Sequence, residues 1–399
     1  MPALDVDAAR RATSGCHAVA HLNNAGAALP PDVVVETVVA HLRREASIGG
    51  YEAAAEAAPA LDAVYDSIAA LVGADRDEIA LAESATRAWD LAFTSLGLGA
   101  GDVVLTGEAE YSSNVLAYLH AGRRTGVTVE VLPSEPGGGL DVEALQRRLA
   151  DLGGRADGGR VGLVALTHVP TSNGLVHPAA EVGGAARAAG VPFLLDACQS
   201  VGQLDVDVAA LGCDLLSATG RKFLRGPRGT GFLYVSRTLL DRLDPPTVDL
   251  RSAEWTGEDT YELASGARRF ETWESSVATR LGLGAAVGHA LSWGMPAIEQ
   301  RVTELAGLLR TRLHERPGVT VHDTGRQRSG IVTFSVAGAE ATDVVAQLRR
   351  AGVHTSVSAA GSAHLDLGRR GLGDVVRASV HYYNTEDELE RLLDALPPA

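Results

Sequence analysis

Short apolar runs, separated by longer amphipathic segments, punctuate the middle of this chain. Asp102–Thr106, Thr128–Leu132, Val161–Thr167, Val191–Leu195 and Gly231–Val235 read as strands. Apart from Thr128–Leu132 these runs do not alternate between apolar and polar, which is the pattern of a sheet covered on both faces. Between them, Asp141–Leu152 and Pro178–Ala189 carry an apolar stripe at helical spacing and read as crossover helices. Strand and helix patterns alternate over residues 76–240, which predicts an α/β layer built on a mostly parallel sheet. Ligands of such sheets bind at the carboxyl ends of the strands. A helical stretch over 282–315 leads to a second unit. There a strand at Gly330–Ser335, a helix at Thr342–Ala351, a strand at Val375–Val380 and a helix at Thr385–Leu396 predict a smaller α+β layer. The expected division is a large domain over 21–290 and a small one from 1–20 and 291–399.

Composition narrows the partners. The 399 residues are 46% hydrophobic, enough for a large core. A net charge of −15 argues against nucleic acid or an anionic membrane. No apolar run reaches membrane-spanning length, and the N-terminus beginning Met1-Pro2-Ala3 lacks the pattern of a secretory signal. Cys16, Cys198 and Cys213 show no metal spacing, so no metal site is expected; they suit a reducing cytoplasm without disulfides.

Chemistry concentrates at strand ends. Asp196 closes the run Val191–Leu195, and Gln199 follows three residues on. Lys222 stands in the turn Thr219-Gly-Arg-Lys222, before a glycine-rich loop that reaches Gly231. Lys222 is the only lysine in the chain. A carboxylate to keep a pyridine nitrogen protonated, with an amine to hold an aldehyde as an imine, is what pyridoxal 5′-phosphate requires. Arginine cannot form that imine. Ser84-Ala85-Thr86-Arg87 precedes a helical pattern and reads either as a plain N-cap or as a phosphate cradle. Tyr111, past the strand at 102–106, is placed to stack on a planar ring. Asn173 or Thr171 could bond the cofactor's phenolic oxygen, unless that stretch is only a turn. Cys198 reads as a small buried hydrophobe rather than a nucleophile. Arg377 could clamp a carboxylate with two parallel bonds, or form a surface ion pair.

Taken in order, Asp-Ala-x-Gln at 196–199, Thr-Gly-Arg-Lys at 219–222 and Arg377-Ala-Ser…Tyr383-Asn-Thr385 resemble the class V aminotransferase family, in its cysteine desulfurase-like and isopenicillin-epimerase-like branches. The matching pieces begin at His21–Pro30, so the resemblance spans nearly the whole chain. It implies fold type I, with a mostly parallel seven-stranded sheet, and a homodimer with sites at the subunit interface. It implies Lys222 as the imine lysine, Asp196 at the ring nitrogen, Tyr111 over the ring and Gln199 at the phenolic oxygen. Ala85, Thr86, Thr219 and Arg221 match phosphate contacts. Ser275 and Ser276 lie in the segment that reaches the partner's phosphate. Arg377, Asn24, Gly26, Asn173 and Tyr51 match substrate positions.

Three departures matter. Tyr111 and Arg221 stand where desulfurases usually have His. The stretch Val353–Ser362, where a desulfurase carries its nucleophilic thiol, has no Cys. The pieces at 49–53 and 270–274 are more similar to the family's carbon–sulfur lyases. The resemblance therefore implies β-elimination from an S-substituted cysteine or its sulfoxide. A transaminase, a decarboxylating deaminase, an epimerase and a non-catalytic binding protein of the same fold remain alternatives.

Overall fold

The computed structural model describes residues 4–153 and 160–398. Residues 1–3 of the sequence-defined small domain lie outside the described residues. After short N-terminal elements between Val6 and Ala27 come two long helices, α1 (Asp32–Ile48) and α2 (Gly50–Val72). There follow β1 (Ile79–Ala82), α3 (Ala85–Ser95), β2 (Asp102–Thr106), α4 (Ser112–Thr125), β3 (Thr128–Val131), α5 (Val142–Gly153), β4 (Arg160–Thr167), α6 (Ala179–Ala188), β5 (Phe193–Asp196), β6 (Leu215–Thr219) and β7 (Gly231–Val235). The seven strands form one sheet in the order β1-β7-β6-β5-β4-β2-β3. Only β7 runs against its neighbours; the other six strands point the same way.

Helices cover both faces, which is why the strands read as unbroken apolar runs. In β5, Phe193, Leu194 and Leu195 are all fully buried although successive side chains face opposite sides. The predicted strand at 191–195 is displaced: it begins at Phe193 and continues through Asp196. Pro192 has no N–H to give the ladder and contributes only its carbonyl, which accepts from the amide of Val164. Residue pairing along the sheet sets Thr167 beside Asp196, and Asp196 beside Ser217. The functional carboxylate thus emerges at the carboxyl end of the central strands.

The predicted single helix over 282–315 is two, α7 (Val277–Trp293) and α8 (Met295–Glu315). Gly294 breaks it with φ +83°, a conformation that glycine adopts without steric cost, and Pro296 starts the next helix. α7 packs against α1 and α2, while α8 packs on the smaller sheet. That sheet is wholly antiparallel: β8 (Val319–Val321), β9 (Ile331–Val336), β10 (Ser356–Ser358) and β11 (Val375–Ser379) lie in the order β8-β9-β11-β10. Helices α9 (Ala341–Arg350) and α10 (Glu386–Asp394) complete this layer. The early segment Ala20–His21 pairs in parallel with Val353–His354, so the start of the chain joins its C-terminal third.

Candidate active site

Five carboxyl-terminal strand ends feed one cluster: β1 leads to Ala85, β2 to Tyr111, β4 to Thr171, β5 to Asp196 and Gln199, and β6 to Lys222. Lys222 is 7% exposed, and its Nζ lies 5.7 Å from the centroid of the Tyr111 ring. Burial lowers the Lys222 pKa; Arg221 and Arg377 lower it further, while Cys198 and Asp196 oppose the shift. A greater share of the amine is therefore neutral near neutral pH.

Asp196 is held from two sides. Its Oδ1 accepts from the amide of Cys198 at 2.9 Å, and its Oδ2 accepts from Asn114 Nδ2 at 3.0 Å. Gln199 Nε2 donates to Ala25 O and to Thr171 Oγ1, both at 3.1 Å. Gln199 Oε1 is buried with no partner in the described structure. Arg377 donates through Nη1 to Thr171 Oγ1 and through Nη2 to Asn23 Oδ1 at 3.2 Å, while its Nε is buried and unpartnered. Burial, with Arg221 nearby, pushes the Arg377 pKa down to about 10.

The other end of the cluster is a helix N-terminus. Ser84 Oγ caps the amide of Arg87 at 3.1 Å, and the carbonyl of Ser84 takes the amide of Ala88. The amides of Ala85 and Thr86 are left without an intrahelical acceptor, as an anion site requires. β7 begins close by at Gly231: a Cβ there would lie 2.9 Å from the amide nitrogen of Ala85 and 2.6 Å from the carbonyl of Ala218. Thr219 Oγ1 donates to Thr230 O at 3.3 Å, and Arg221 Nη1 to Gly26 O at 2.8 Å.

The Lys222 turn has an unusual anchor. Arg225 has φ +63°, the only non-glycine positive φ among the described residues. Such a conformation costs on the order of 1–3 kcal/mol and persists only where neighbours enforce it. Here they do. The 2%-exposed guanidinium bonds Leu29 O at 2.8 Å, and Tyr382 OH and Thr13 Oγ1 at 2.6 Å each, and lies 4.4 Å from the centroid of the Tyr383 ring.

Charge tests whether pyridoxal phosphate fits. Arg221 is half-buried and Arg377 buried, their recorded hydrogen bonds go to carbonyl and hydroxyl oxygens and to the Asn23 amide, and Arg377 Nε has no partner. Guanidiniums removed from water and left without a counter-charge ask for anions. A phosphoryl group beside Ala85 and Thr86 and a carboxylate at Arg377 would supply them, so the residues present fit the cofactor.

Other sequence-predicted residues are placed differently. Asn24 is fully buried and already engaged: Nδ2 donates to Ser379 O at 2.7 Å and to His21 O at 3.2 Å, and Oδ1 accepts from Tyr383 OH. Its neighbour Asn23 is the one that touches Arg377. Asn173 turns toward the C-terminal unit, its Nδ2 on Asp366 at 2.8 Å and its Oδ1 accepting the amide of Leu175. Thr171 is the residue of that loop that joins Gln199 to Arg377. Ser276 caps α7 through the amide of Thr279, and Ser275 lies with it near Gly229–Gly231. Tyr51 is 82% exposed and lines an outer cavity of about 640 Å³ with Trp273 and Ser275, apart from the Lys222 cluster. Cys198 sits within the cluster, and burial pushes its thiol up to about 12; the thiol of Cys16 rises to about 11, and Cys213 is buried in the core.

Sequence reasoning missed Asn23, Asn114, Glu110 and Arg225. The i, i+4 spacing of Glu110 and Asn114 at the start of α4 was the one available signal, since it sets the two side chains together.

The family model described as "Aminotransferase class-V" matches residues 20–392. A probable cysteine desulfurase of Xylella fastidiosa (strain 9a5c) is 30% identical over 385 residues, covering 94% of this chain and 89% of the relative. The apo structure of a cysteine desulfurase from Thermococcus onnurineus NA1 superposes with a TM-score of 0.88 at 25% identity, covering 99% and 97% of the two chains. A cystine C–S lyase solved with its reaction product cysteine persulfide superposes at 0.84, with 23% identity and coverage of 97% and 100%, which shows a shared fold.

Proposed function

Because the chain belongs to the class V aminotransferase family, whose cofactor is pyridoxal 5′-phosphate, we propose that it cleaves the carbon–sulfur bond of an S-substituted cysteine, or its sulfoxide, by β-elimination. The products are pyruvate, ammonia and a sulfur compound. One observation carries the choice of elimination over sulfur transfer: no cysteine follows Cys213 in the sequence. The segment from Val353 onward that would present a sulfur-accepting thiol offers Ser356, Ser358 and Ser362 instead. Cys198 is fixed between Asp196 and Gln199, with its thiol protonated at neutral pH.

Bound, the cofactor supplies an aldehyde for the substrate amine and a protonated ring that draws electrons from Cα. Asp196 would hold the ring N–H; Gln199, whose Nε2 donates to Ala25 O and Thr171 Oγ1, would hold the phenolic oxygen with its amide reversed, which turns Nε2 to the position of the unpartnered Oε1. The amides of Ala85 and Thr86, with Thr219 and Arg221, would hold the phosphate. Arg377 receives the substrate carboxylate, its guanidinium oriented by Thr171 and Asn23. Lys222, with its lowered pKa, removes the proton from Cα once its amine is released. A thiolate leaves Cβ without help from an acid.

The same reading makes the protein a cytoplasmic homodimer, with 21–290 as the cofactor-binding unit and 1–20 with 291–399 as the smaller one. Val33, Val35 and Leu42 on α1, Leu116 and Leu119 on α4, and Trp273 expose large apolar side chains that a second copy would cover.

The test is to incubate holoenzyme with S-alkyl-cysteines. Pyruvate and free thiol in equal amounts, with the cofactor spectrum restored after turnover, supports elimination. Alanine with protein-bound sulfur, or a cofactor left in its amine form, refutes it.

A further inference from the structure

Behind Asp196 lies a second buried carboxylate that the reaction above does not use. Glu110 is 9% exposed and accepts from five groups. Its Oε1 takes the amide of Tyr111 at 2.7 Å, Asn114 Nδ2 at 3.0 Å and the hydroxyl of Thr167. Its Oε2 takes Thr106 Oγ1 at 2.7 Å and Tyr118 OH at 3.4 Å. The Tyr111 amide and Asn114 Nδ2 can only donate, so Glu110 accepts from both, while burial pushes its pKa up against these bonds. Asn114 is the bridge. Its single Nδ2 reaches Glu110 Oε1 and Asp196 Oδ2, each at 3.0 Å, so both of its hydrogens are used and its orientation is fixed. Glu110 also holds the backbone of Tyr111, the residue whose ring faces Lys222.

We propose that Glu110 is a positioning residue for cofactor binding, acting through Asn114 to fix Asp196 and through the Tyr111 amide to set the ring across from Lys222. The groups facing this pair are Thr106 from β2, Tyr118 from α4 and Thr167 from β4, and Lys222 and Cys198 lie on the far side of Asp196. The inference rests on the pyridoxal-phosphate reading but on no particular substrate.

The test reads the cofactor rather than turnover. Apoprotein of the wild type, Glu110→Gln, Asn114→Ser and the double variant is titrated with pyridoxal phosphate, and the pH midpoint of the bound cofactor's visible band is recorded. Glu110→Gln should weaken binding about tenfold and shift the midpoint, because Asn114 and the Tyr111 amide lose the carboxylate that orients Asp196 and the Tyr111 ring. Asn114→Ser should weaken binding similarly. The double variant should be no worse than the poorer single one, because both act along one chain of bonds. Asn114→Ser leaves the other donors to Glu110 in place, so it carries the test if Glu110→Gln fails to fold. An unmoved midpoint and wild-type affinity in either folded single variant, or losses that simply add, would overturn the proposal. Failure of wild-type apoprotein to take up the cofactor at all would instead sink the reading on which it rests.

Discussion

At the scale of single residues, the groups that the sequence revealed are those whose chemistry has no substitute. One lysine in 399 residues, placed after a strand-ending aspartate, could be read without a structure. Lys222→Ala should abolish turnover and any borohydride-reducible link between protein and cofactor. A persistent link, seen by mass spectrometry, would show that the imine forms elsewhere. Arg377→Lys keeps the charge but loses the planar fork, so KM should rise more than kcat falls. An amino acid and its decarboxylated amine responding alike would mean that Arg377 does not hold the carboxylate. Asn23 was not legible because its value comes from Arg377, 354 positions away, and Asn24 offered the same side chain one residue later. Polar amides carry no mark of which neighbour they will meet.

At the scale of elements, legibility followed side-chain type more than burial. β2, β4 and β7, rich in Val, Leu or aromatic residues, announce themselves as apolar runs, and with the half-exposed edge strand β3 they lie close to their predicted bounds. β1 and β6, short and rich in Ala or Ser, did not stand out, and neither did α1 and α2. The break at Gly294 was hidden because the apolar periodicity continues across it. The joint between α3 and β7 was not visible either, since only the fold brings Gly231 against Ser84 and Ala85. It supports a sharp expectation. A methyl group at Gly231 would meet backbone on both sides, which cannot move aside as a side chain would. Gly231→Ala should lower stability by about 1–3 kcal/mol and weaken pyridoxal-phosphate binding at least tenfold. Gly288→Ala, in α7 with nothing within 4 Å of the added Cβ, should bind the cofactor normally and gain up to about 1 kcal/mol. Thermal unfolding with cofactor titration of both variants separates local closeness from a general intolerance of alanine.

At the scale of the whole molecule, the seven-stranded sheet and the family resemblance agree, and the chemistry turns on what the chain does with sulfur. A variant with Cys16, Cys198 and Cys213 all replaced by Ser or Ala should fold, bind cofactor and still release pyruvate and thiol from S-alkyl-cysteine. Loss of that release alone, measured on folded holoenzyme, would point to a thiol route through Cys198. A mass measurement in solution checks the dimer. A monomer at micromolar concentration would leave the exposed side chains of α1 and α4 without their expected cover.

Arg225 carries a consequence for how the protein comes to be made. Its guanidinium joins Thr13, 212 positions before it, to Tyr382, 157 positions after it, and it stands three residues from Lys222. A chain emerging from the ribosome can lay down the large sheet early, because domains fold as their segments appear. The lysine's turn, however, holds a left-handed arginine whose guanidinium, bonded upstream to Leu29 O and Thr13 Oγ1, gains its aromatic seat only when Tyr382 and Tyr383 exist. Cofactor capture therefore belongs to the end of synthesis. Stalled nascent chains that expose residues 13–350 should leave pyridoxal phosphate in solution, while chains exposed through residue 398 should retain it. Early capture by the shorter chains would show that the turn closes without its aromatic seat.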